Sequence, residues 1–408
     1  MTTFRFIHAA DLHLDTPFIG LGRGRGALAG RLRDASLDAL DRIVGKALAV
    51  EAAFVVFAGD LYDGEERGVR AQLRFRHALG RLSEAGIKSF VVHGNHDPEG
   101  GRWTAIKAWP PGVHVFSTKA PEAVPVEQNG ATIATIHGMS YAKRHTTDNL
   151  ALRFPVVSGG VNVAVLHCNV GDQAGHAPYS PCSLDDLYSR GMAYWALGHV
   201  HTGAILSRDP WVVYPGNTQG RSFAPGEQGP KGATVVEVVE GKVRSCDFFA
   251  TDSARFFELH ESVDGISDLS EVGDRLGAAA RALREANPDH DVLIRATIGG
   301  RTDLYRALGE AAGREGLRQS LDDHGDARMF WLELKSACLP PLDLPSIAAG
   351  SDLRAEVLAT AVDWTAALPA DLKNELRVLG ASPTEALMKG LIDAAALDVI
   401  DRLTPEAD

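Results

Sequence analysis

Five short polar motifs, each placed at the end of an apolar run, constrain the fold of this 408-residue chain more than any other feature. The runs cover residues 4–9, 54–58, 87–92, 162–167 and 194–197, and helical patterns over 32–50 and 69–85 separate the first three. The uninterrupted apolar run over 54–58 is typical of a strand that is buried on both faces of a parallel sheet. The alternation of such strands with helices predicts an α/β fold.

The motifs place carboxylates, imidazoles and an amide where the predicted strands end. They are Asp11-x-His13, Gly59-Asp60-x-x-Asp63, Gly94-Asn95-His96-Asp97, the single His167 and Gly198-His199-x-His201. Ligands of open α/β sheets bind at the carboxyl ends of the strands, so we expect the five motifs to meet at one edge. Three of the motifs contain a glycine. If the polar side chains bind a metal ion, a glycine beside them leaves room for the backbone to come close to that ion.

This set of side chains is suited to a pair of divalent cations. Two cations about 3.5–4 Å apart can clamp a phosphate and activate the water between them. Their mutual repulsion requires a bridging carboxylate, while neutral imidazole and amide ligands limit the negative charge. Mixed oxygen and nitrogen ligands favour Mn²⁺, Fe or Zn over Ca²⁺ or an all-thiolate zinc site. The sequence therefore predicts a two-metal phosphoesterase.

The chain is long enough for two or three domains. Residues 1–250 hold all five motifs and are predicted to end in hairpin-like strands. Residues 251–338 predict a small α+β module with the element order βαβαβ. A proline-bearing stretch over 340–346 predicts a linker, and residues 339–408 as a whole carry helical patterns over 353–368, 371–379 and 383–403.

Composition argues against a membrane or secreted protein. No apolar run approaches the roughly 18 residues of a membrane-spanning helix, and the N-terminal residues lack the pattern of a secretory signal. The four cysteines are widely spaced, as expected for reduced thiols in a cytoplasmic protein.

The formal net charge of −12 argues against a broad basic surface for nucleic acid. Residues 339–408, however, contain 12 acidic and 5 basic residues, so more than half of the net charge lies outside the segment that holds the motifs. A local phosphate-binding groove is therefore compatible with the sequence.

Taken together, the five motifs resemble those of the calcineurin-like metallophosphoesterase superfamily. The segments FIHAADLHLDTPFIGL, YWALGHVH and YPGNTQGRSF look closer to the SbcD-type nucleases, which include the meiotic-recombination-eleven nucleases, and especially to their YhaO-like bacterial branch of DNA repair exonucleases. The resemblance covers residues 4–250. It implies a calcineurin-like β-sandwich flanked by helices, a small α+β capping domain over 251–338 and C-terminal helices over 339–408.

The resemblance also implies a role for each motif residue. Seven residues would be metal ligands: Asp11, His13 and His201 of one ion, Asn95, His167 and His199 of the other, and Asp60 as the bridge. His96 would be the general acid, and Asp63 would orient it. Some archaeal and eukaryotic relatives carry His at the position of Asp63, so the polarity of cleavage does not transfer directly.

Two features beyond the motifs have alternative interpretations. Asn217 and Arg221, in PGNTQGR, would contact a phosphate or would form an ordinary turn with an exposed arginine. The apolar face of the last helix would pack on neighbouring helices or, as the resemblance implies, dock an SMC-type ATPase.

The expected function is a Mn²⁺-dependent DNA nuclease, a repair exonuclease that acts with an SbcC-like (YhaN-like) ATPase. One alternative is a phosphodiesterase or phosphatase for a small or protein substrate, and another is a non-catalytic scaffold for the ATPase. The sequence leaves open whether the chain forms a homodimer through its catalytic domain, as related nucleases commonly do.

Overall fold

The computed structural model describes residues 3–16, 18, 26–63, 68–98, 104–171, 179–372 and 384–403. The chain forms two compact units. The first comprises Met1–Ser262, Asp268–Gly299 and Ala307–Ala337, and the second Val263–Ser267, Gly300–Arg306 and Cys338–Asp408. The division into domains after residues 250 and 338 stays a prediction.

The first sheet of the larger unit has a parallel centre. Its strands, in spatial order, are β12 (Lys242–Ala250), β11 (Gly232–Val239), β1 (Thr3–Ala9), β2 (Phe54–Ala58), β3 (Lys88–Val92) and β4 (Val113–Val115). Strands β1 to β4 are parallel, and β11 is antiparallel to both β1 and β12. The helices α1 (Gly26–Ala49) and α2 (Val69–Glu84) connect the parallel strands.

The second sheet also has a parallel centre. Its order is β5 (Glu122–Gln128), β6 (Ala131–Gly138), β7 (Asn162–His167), β8 (Tyr194–Gly198), β10 (Trp211–Tyr214) and β9 (Ala204–Arg208). Strands β6, β7, β8 and β10 are parallel, and the edge strands β5 and β9 are antiparallel to their neighbours. The short helix α3 (Leu184–Tyr188) follows β7.

The central strands are apolar on both faces because each face has its own core. In β2, Phe54 and Val56 belong to the core between the two sheets, while Val55 and Phe57 pack with α1 and α2. In β7, Val163 also lies in the core between the sheets. Full burial of such a side chain stabilises the fold by about 1.5–3 kcal/mol. These paired cores form the predicted sandwich and explain why the central strands are rich in apolar residues.

A three-stranded sheet follows in the chain. Its elements are β13 (Ala254–Ser262), α4 (Leu269–Ala286), β14 (Asp291–Arg301), α5 (Tyr305–Gly309), α6 (Ala311–Asp323) and β15 (Met329–Leu339), with β14 in the middle and parallel to β13. The observed order differs from the predicted βαβαβ in one respect, because two helices, α5 and α6, lie between β14 and β15 where a single helix was predicted. Glu310 adopts an extended conformation that ends α5, and α6 buries only Leu317, so its apolar pattern is weak.

The second unit contains three described helices, α7 (Leu344–Ala348), α8 (Leu353–Ala366) and α9 (Glu385–Leu403). A short helix therefore begins within the stretch over 340–346 that was predicted as a linker. The predicted helix over 371–379 lies outside the described residues except for its first two positions. None of the helices described here is both long enough and apolar enough to cross a membrane. The sandwich, the small sheet and the C-terminal helices confirm the predicted fold class.

A buried ionic cluster joins the end of β12 to the small sheet. Asp252 is fully buried and accepts hydrogen bonds from Arg255 at 2.6 Å and from His290 at 3.3 Å. Burial alone would raise the pKa of Asp252, but the hydrogen bonds from His290 and Arg255 outweigh it and hold that pKa below its usual value. The carboxylate is therefore stabilised in its charged form.

We expect Asp252→Asn to lower the free energy of unfolding by about 3 kcal/mol, because it leaves buried donors without their charged partner. Chemical denaturation near neutral pH measures this loss. The folded pKa is depressed, so the contribution is fully present above the usual aspartate pKa and is lost as pH falls through the folded value. Asp247→Asn, at an exposed position on β12, should change stability by less than about 0.5 kcal/mol. Equal effects of the two variants would contradict a role for the cluster.

Candidate metal centre

The chain segments after β1 and β2 run side by side beyond the ends of the strands. The amide of Asp11 donates to Gly59 O at 3.1 Å, and the amide of His13 donates to Asp60 O at 3.0 Å. A bridge between Leu14 and Tyr62 continues the pairing. These hydrogen bonds place the first two motifs beside each other. This agrees with the prediction that the motifs meet at the carboxyl ends of the strands.

Four of the seven predicted ligands have left-handed backbone conformations. Their φ angles are 52° at Asp11, 41° at His13, 49° at Asp60 and 103° at His199. Such conformations cost roughly 1–3 kcal/mol for a residue other than glycine and cluster at functional sites. The surrounding structure therefore holds these four side chains in directions that an ordinary loop would not adopt.

His167 connects the second sheet to the first. Its Nδ1 lies 3.0 Å from Ala58 O, so Nδ1 carries the proton and donates it. Its Nε2 faces Asn95 Oδ1 at 2.9 Å and Asp60 Oδ2 at 3.4 Å. Burial alone would lower the pKa of His167, but the Asp60 carboxylate raises it to about 9. His167 Nε2 therefore faces two oxygen atoms, Asn95 Oδ1 and Asp60 Oδ2. A positive charge between the three atoms would interact favourably with each of them.

The other half of the site brings two imidazoles together. The Nε2 atoms of His13 and His201 are 3.1 Å apart, although only one of them can donate to the other. Burial lowers the pKa of His13 well below its usual value, so this ring is neutral. Its Nδ1 is buried without a hydrogen-bond partner in the described structure. Two imidazole nitrogen atoms that face each other at this distance can both bind one cation.

The structure groups the predicted ligands into overlapping clusters. Ligand atoms of Asp11, His13 and His201 lie within 4.8 Å of one another, as do those of Asp11, Asp60 and His167. Burial raises the pKa of Asp11 to about 6, whereas the nearby imidazoles outweigh burial at Asp60 and hold its pKa low. Buried carboxylates and imidazole nitrogens in adjoining clusters fit two divalent cations.

His199 is close to the site but outside these clusters. Its ring centroid is 5.3 Å from that of His167, and its backbone amide donates to both carboxylate oxygens of Asp11, at 3.0 and 3.1 Å. The backbone of His199 thus positions Asp11. A ligand role for its side chain stays a prediction.

Glycines in the motifs allow the two sheets to approach closely here. A Cβ at Gly94 would overlap Asp60 Oδ1, and a Cβ at Gly198 would overlap Ala58 O. The space that a methyl group would need is therefore filled by the carboxylate and by the carbonyl that fixes His167. Both positions require a residue without a side chain for reasons of packing.

His96 and Asp63 form the pair that the sequence predicts. His96 Nδ1 lies 2.5 Å from Asp63 Oδ1, and the side chains are about 30% exposed. Burial alone would lower the pKa of His96, but the hydrogen bond to Asp63 and the charge of Asp60 raise it. Arg221 donates to Asp63 Oδ2 at 3.1 Å. The imidazole is therefore held by a carboxylate that is itself held by an arginine.

The sequence reasoning missed Glu227, a buried carboxylate between these groups. It accepts hydrogen bonds from His201 Nδ1 at 2.7 Å, from Asn217 Nδ2 at 2.8 Å and from the Arg221 amide at 3.0 Å. Burial alone would raise the pKa of Glu227, but the bond from His201 and the other donors lower it to about 2. The acidic residue in the short APGEQG segment gives no local signal of this role.

The structure settles one alternative for the PGNTQGR segment. The side chain of Arg221 is only 16% exposed and pairs with Asp63 and Glu227, so the interpretation as a turn with an exposed arginine was wrong. Asn217 is fully buried, and its amide nitrogen is used by Glu227 and Gln219 O. Phosphate contacts by Asn217 and Arg221 stay predictions.

Comparison with known proteins identifies the class to which this arrangement belongs. Residues 4–203 match the family model of the calcineurin-like phosphoesterases, and residues 256–335 match that of the middle domain of the metallophosphoesterase YhaO. The chain therefore contains a calcineurin-like metallophosphoesterase domain followed by a YhaO middle domain, which confirms the resemblance drawn from the motifs.

Individual relatives fall into two groups. The uncharacterized metallophosphoesterase YhaO of Bacillus subtilis is 40% identical over 60% of this chain and 59% of its own length. The DNA double-strand break repair protein Mre11 of Thermoplasma acidophilum is 28% identical over 50% of this chain and 57% of its own length. The DNA double-strand break repair protein Mre11 of Haloferax volcanii is 28% identical over 57% of this chain and 49% of its own length. The chain thus spans about half to three fifths of the length of these curated relatives.

Among solved structures, a dimetal phosphatase of Danio rerio matches 58% of this chain and 93% of its own. The identity is 16% and the TM-score is 0.36, which is too low for any inference about function.

We expect Gly94→Ala to weaken Mn²⁺ binding by about tenfold or more, because the methyl group displaces the Asp60 carboxylate. Isothermal titration calorimetry measures the affinity. Gly80→Ala is the matched control, since a Cβ at this helical position meets nothing within 4 Å and alanine favours a helix. Unchanged affinity in both variants would show that the tight packing at Gly94 does not support the metal centre.

Proposed function

We propose that this chain is a two-metal phosphodiesterase that cleaves DNA, a repair exonuclease of the SbcD type. The observation that carries the proposal is the pairing of His96 with Asp63 at the rim of the buried carboxylate and imidazole clusters. A phosphate held at the clusters has a proton donor beside it, and this is the arrangement that hydrolysis of a diester requires.

The proposed metal ligands follow from the clusters. Asp11, His13 and His201 would hold one cation, Asn95, His167 and His199 the other, and Asp60 would bridge them. Divalent cations, with Mn²⁺ as the proposed metal, supply charge that neutralises phosphate oxygens and lowers the pKa of a bound water. The hydrogen bonds of His201 to Glu227 and of His167 to Ala58 O fix the orientation of these rings.

His96 is the proposed general acid. Asp63 accepts from its Nδ1, so Nε2 is the atom that holds the proton for the leaving oxygen. Arg221 would keep Asp63 charged and in place, which in turn keeps the imidazole protonated and correctly rotated. The backbone amide of His96 also donates to Asp60 Oδ1 at 2.9 Å, so this hydrogen bond holds the proposed acid next to the proposed bridging carboxylate.

DNA as the substrate is supported by the relatives rather than by the site. Two of the relatives reported above are named as DNA double-strand break repair proteins, whereas the more similar one is uncharacterized. The net charge of −12 favours the rival proposal, a phosphodiesterase or phosphatase for a small or protein substrate. A scaffold without catalysis is the least supported reading, because both the clusters and the His96–Asp63 pair are intact.

The first test is Mn²⁺-dependent degradation of end-labelled linear duplex and single-stranded DNA. We expect His96→Ala to lower kcat by roughly 10²- to 10⁴-fold, the usual contribution of a general acid. The loss should be much smaller on bis(4-nitrophenyl) phosphate, because 4-nitrophenolate leaves without a proton. Equal losses on both substrates would exclude the acid role and leave His96 as a structural or phosphate-binding residue.

The exposed His77 on α2 provides the matched control, and His77→Ala should leave both rates unchanged. Hydrolysis of the small diester without any cleavage of DNA would favour the rival substrate or a requirement for a partner. No metal-dependent hydrolysis of either substrate would support the scaffold.

An SMC-type ATPase of the SbcC (YhaN) type is the proposed partner, and the surface of α9 is its proposed docking site. Leu387 and Leu391 lie four residues apart on one side of this helix and are 55% and 56% exposed. Val362 on α8 is 63% exposed. Apolar side chains clustered in this way are typical of helices that pack against another protein.

We expect the double variant Leu387→Glu and Leu391→Glu to weaken binding to an SbcC-like ATPase by at least about tenfold, because it places two charges in the apolar contact. Surface plasmon resonance with the full chain measures the affinity. Lys389→Ala, an exposed position on the same helix, should bind normally. Normal binding by the double variant would remove α9 from the interface.

A further inference from the structure

Aromatic rings continue outward from the metal centre in an unbroken row. The ring of His199 contacts Tyr179 with a centroid distance of 5.6 Å and an interplanar angle of 84°. Tyr179 in turn contacts His145, again at 5.6 Å and with an angle of 41°. We call His199, Tyr179 and His145 the aromatic strip. It begins at a buried histidine beside His167 and ends at an exposed one.

The backbone holds this strip in place. The amide of Asn169, two residues beyond His167, donates to Tyr179 O at 3.0 Å. The amide of Ser180 donates to Thr146 O at 2.7 Å, and Ser180 Oγ accepts from the Leu150 amide at 3.2 Å. Tyr179 is therefore fixed between the end of β7 and the segment that carries His145. A ring positioned in this way can bind a ligand without being ordered first.

Two basic side chains adjoin the outer end of the strip. Lys143 and Arg144 directly precede His145 in the chain, and both are exposed. Neither forms a salt bridge with a carboxylate in the part of the chain that the structure describes. Within the described residues of a protein with a net charge of −12, a Lys-Arg pair without a salt bridge, next to the exposed ring of His145, is a local site for an anion.

Aromatic faces and neighbouring cations together match one chemical class of ligand. Unpaired nucleobases stack on aromatic rings, and the phosphates that join them pair with lysine and arginine. Paired bases within a duplex do not expose their faces in this way. A small phosphodiester has no second base or phosphate to reach from the metal centre to Lys143 and Arg144.

We propose that the aromatic strip is the path by which a single-stranded end of nucleic acid reaches the metal centre. An unpaired base stacks on Tyr179, and Lys143 and Arg144 bind the phosphates that follow. This inference deepens the proposed nuclease function and rests on it for the direction of the strand toward the site.

The test measures binding of a short fluorescein-labelled oligothymidylate to the full chain by anisotropy, in the His96→Ala background so that cleavage does not interfere. Tyr179→Ala should weaken binding by roughly tenfold or more, the usual effect of removing one stacked base. Tyr179→Phe keeps the ring and should bind like the parent. Tyr188→Ala, an exposed tyrosine on α3, is the matched control and should also bind like the parent.

The salt dependence of oligonucleotide binding distinguishes the contribution of Lys143 and Arg144 from that of the Tyr179 ring. The double variant Lys143→Ala and Arg144→Ala should reduce the slope of log Kd against log salt by about 1.4, the value for two phosphate contacts of a single strand. Lys242→Ala with Arg244→Ala makes the same change in net charge at exposed positions of β12 and should leave the slope unaltered. Thermal unfolding confirms that all variants are folded.

The possible outcomes distinguish this inference from the proposed function. If Tyr179→Ala and the basic pair weaken binding as expected, the strip is supported whether or not the parent cleaves DNA. If the wild-type chain cleaves the oligonucleotide but the strip variants bind like their controls, the strip is overturned and the nuclease stands. Hydrolysis of a small diester with neither binding nor cleavage of the oligonucleotide overturns both.

Discussion

The candidate metal centre depends on the burial of two carboxylates, Asp11 and Asp60, at the line where the carboxyl edges of two sheets meet. Inside a protein, such charges are stable only when nearby donors or cations compensate them. The backbone amides of His199 and His96 supply part of this compensation, and the facing acceptor atoms leave room for more positive charge. The left-handed backbone at several of the proposed ligands persists because the packed edges of both sheets hold it.

Much of the fold could be predicted because its central strands are buried on both faces. Phe54–Ala58 is an uninterrupted apolar run, and Asn162–His167 is apolar between its first and last residues. The polar motif of each strand marks where the strand ends. Elements that have only a weak apolar face were harder to predict from the sequence. The helix Ala311–Asp323 buries a single leucine, and the edge strand Glu122–Gln128 is mostly exposed and contains Pro125. Periodicity alone does not reveal elements that contribute so little to a core.

In the candidate site, too, residues within a motif could be predicted from the sequence, whereas contacts between residues far apart in the chain could not. The pair of His96 and Asp63 could be proposed because both belong to recognisable motifs. The third member, Arg221, lies 158 positions from Asp63, and its ion pair depends on how the turn after β10 folds back. Tyr179 likewise meets His145 and His199 only through the three-dimensional fold. Spacing along the chain identifies chemically suited residues, but contacts between distant loops decide which of them act together.

Glu227 makes the two halves of the site dependent on one side chain. One of its oxygens orients the ring of His201, and the carboxylate also anchors Arg221, which supports Asp63 and therefore His96. Substitutions among these residues should consequently show epistasis, since each changes the surroundings of the others. Natural or laboratory evolution toward another metal or another leaving group would have to alter this network in concert. A single carboxylate outside the motifs thus limits how far the site can be modified one residue at a time.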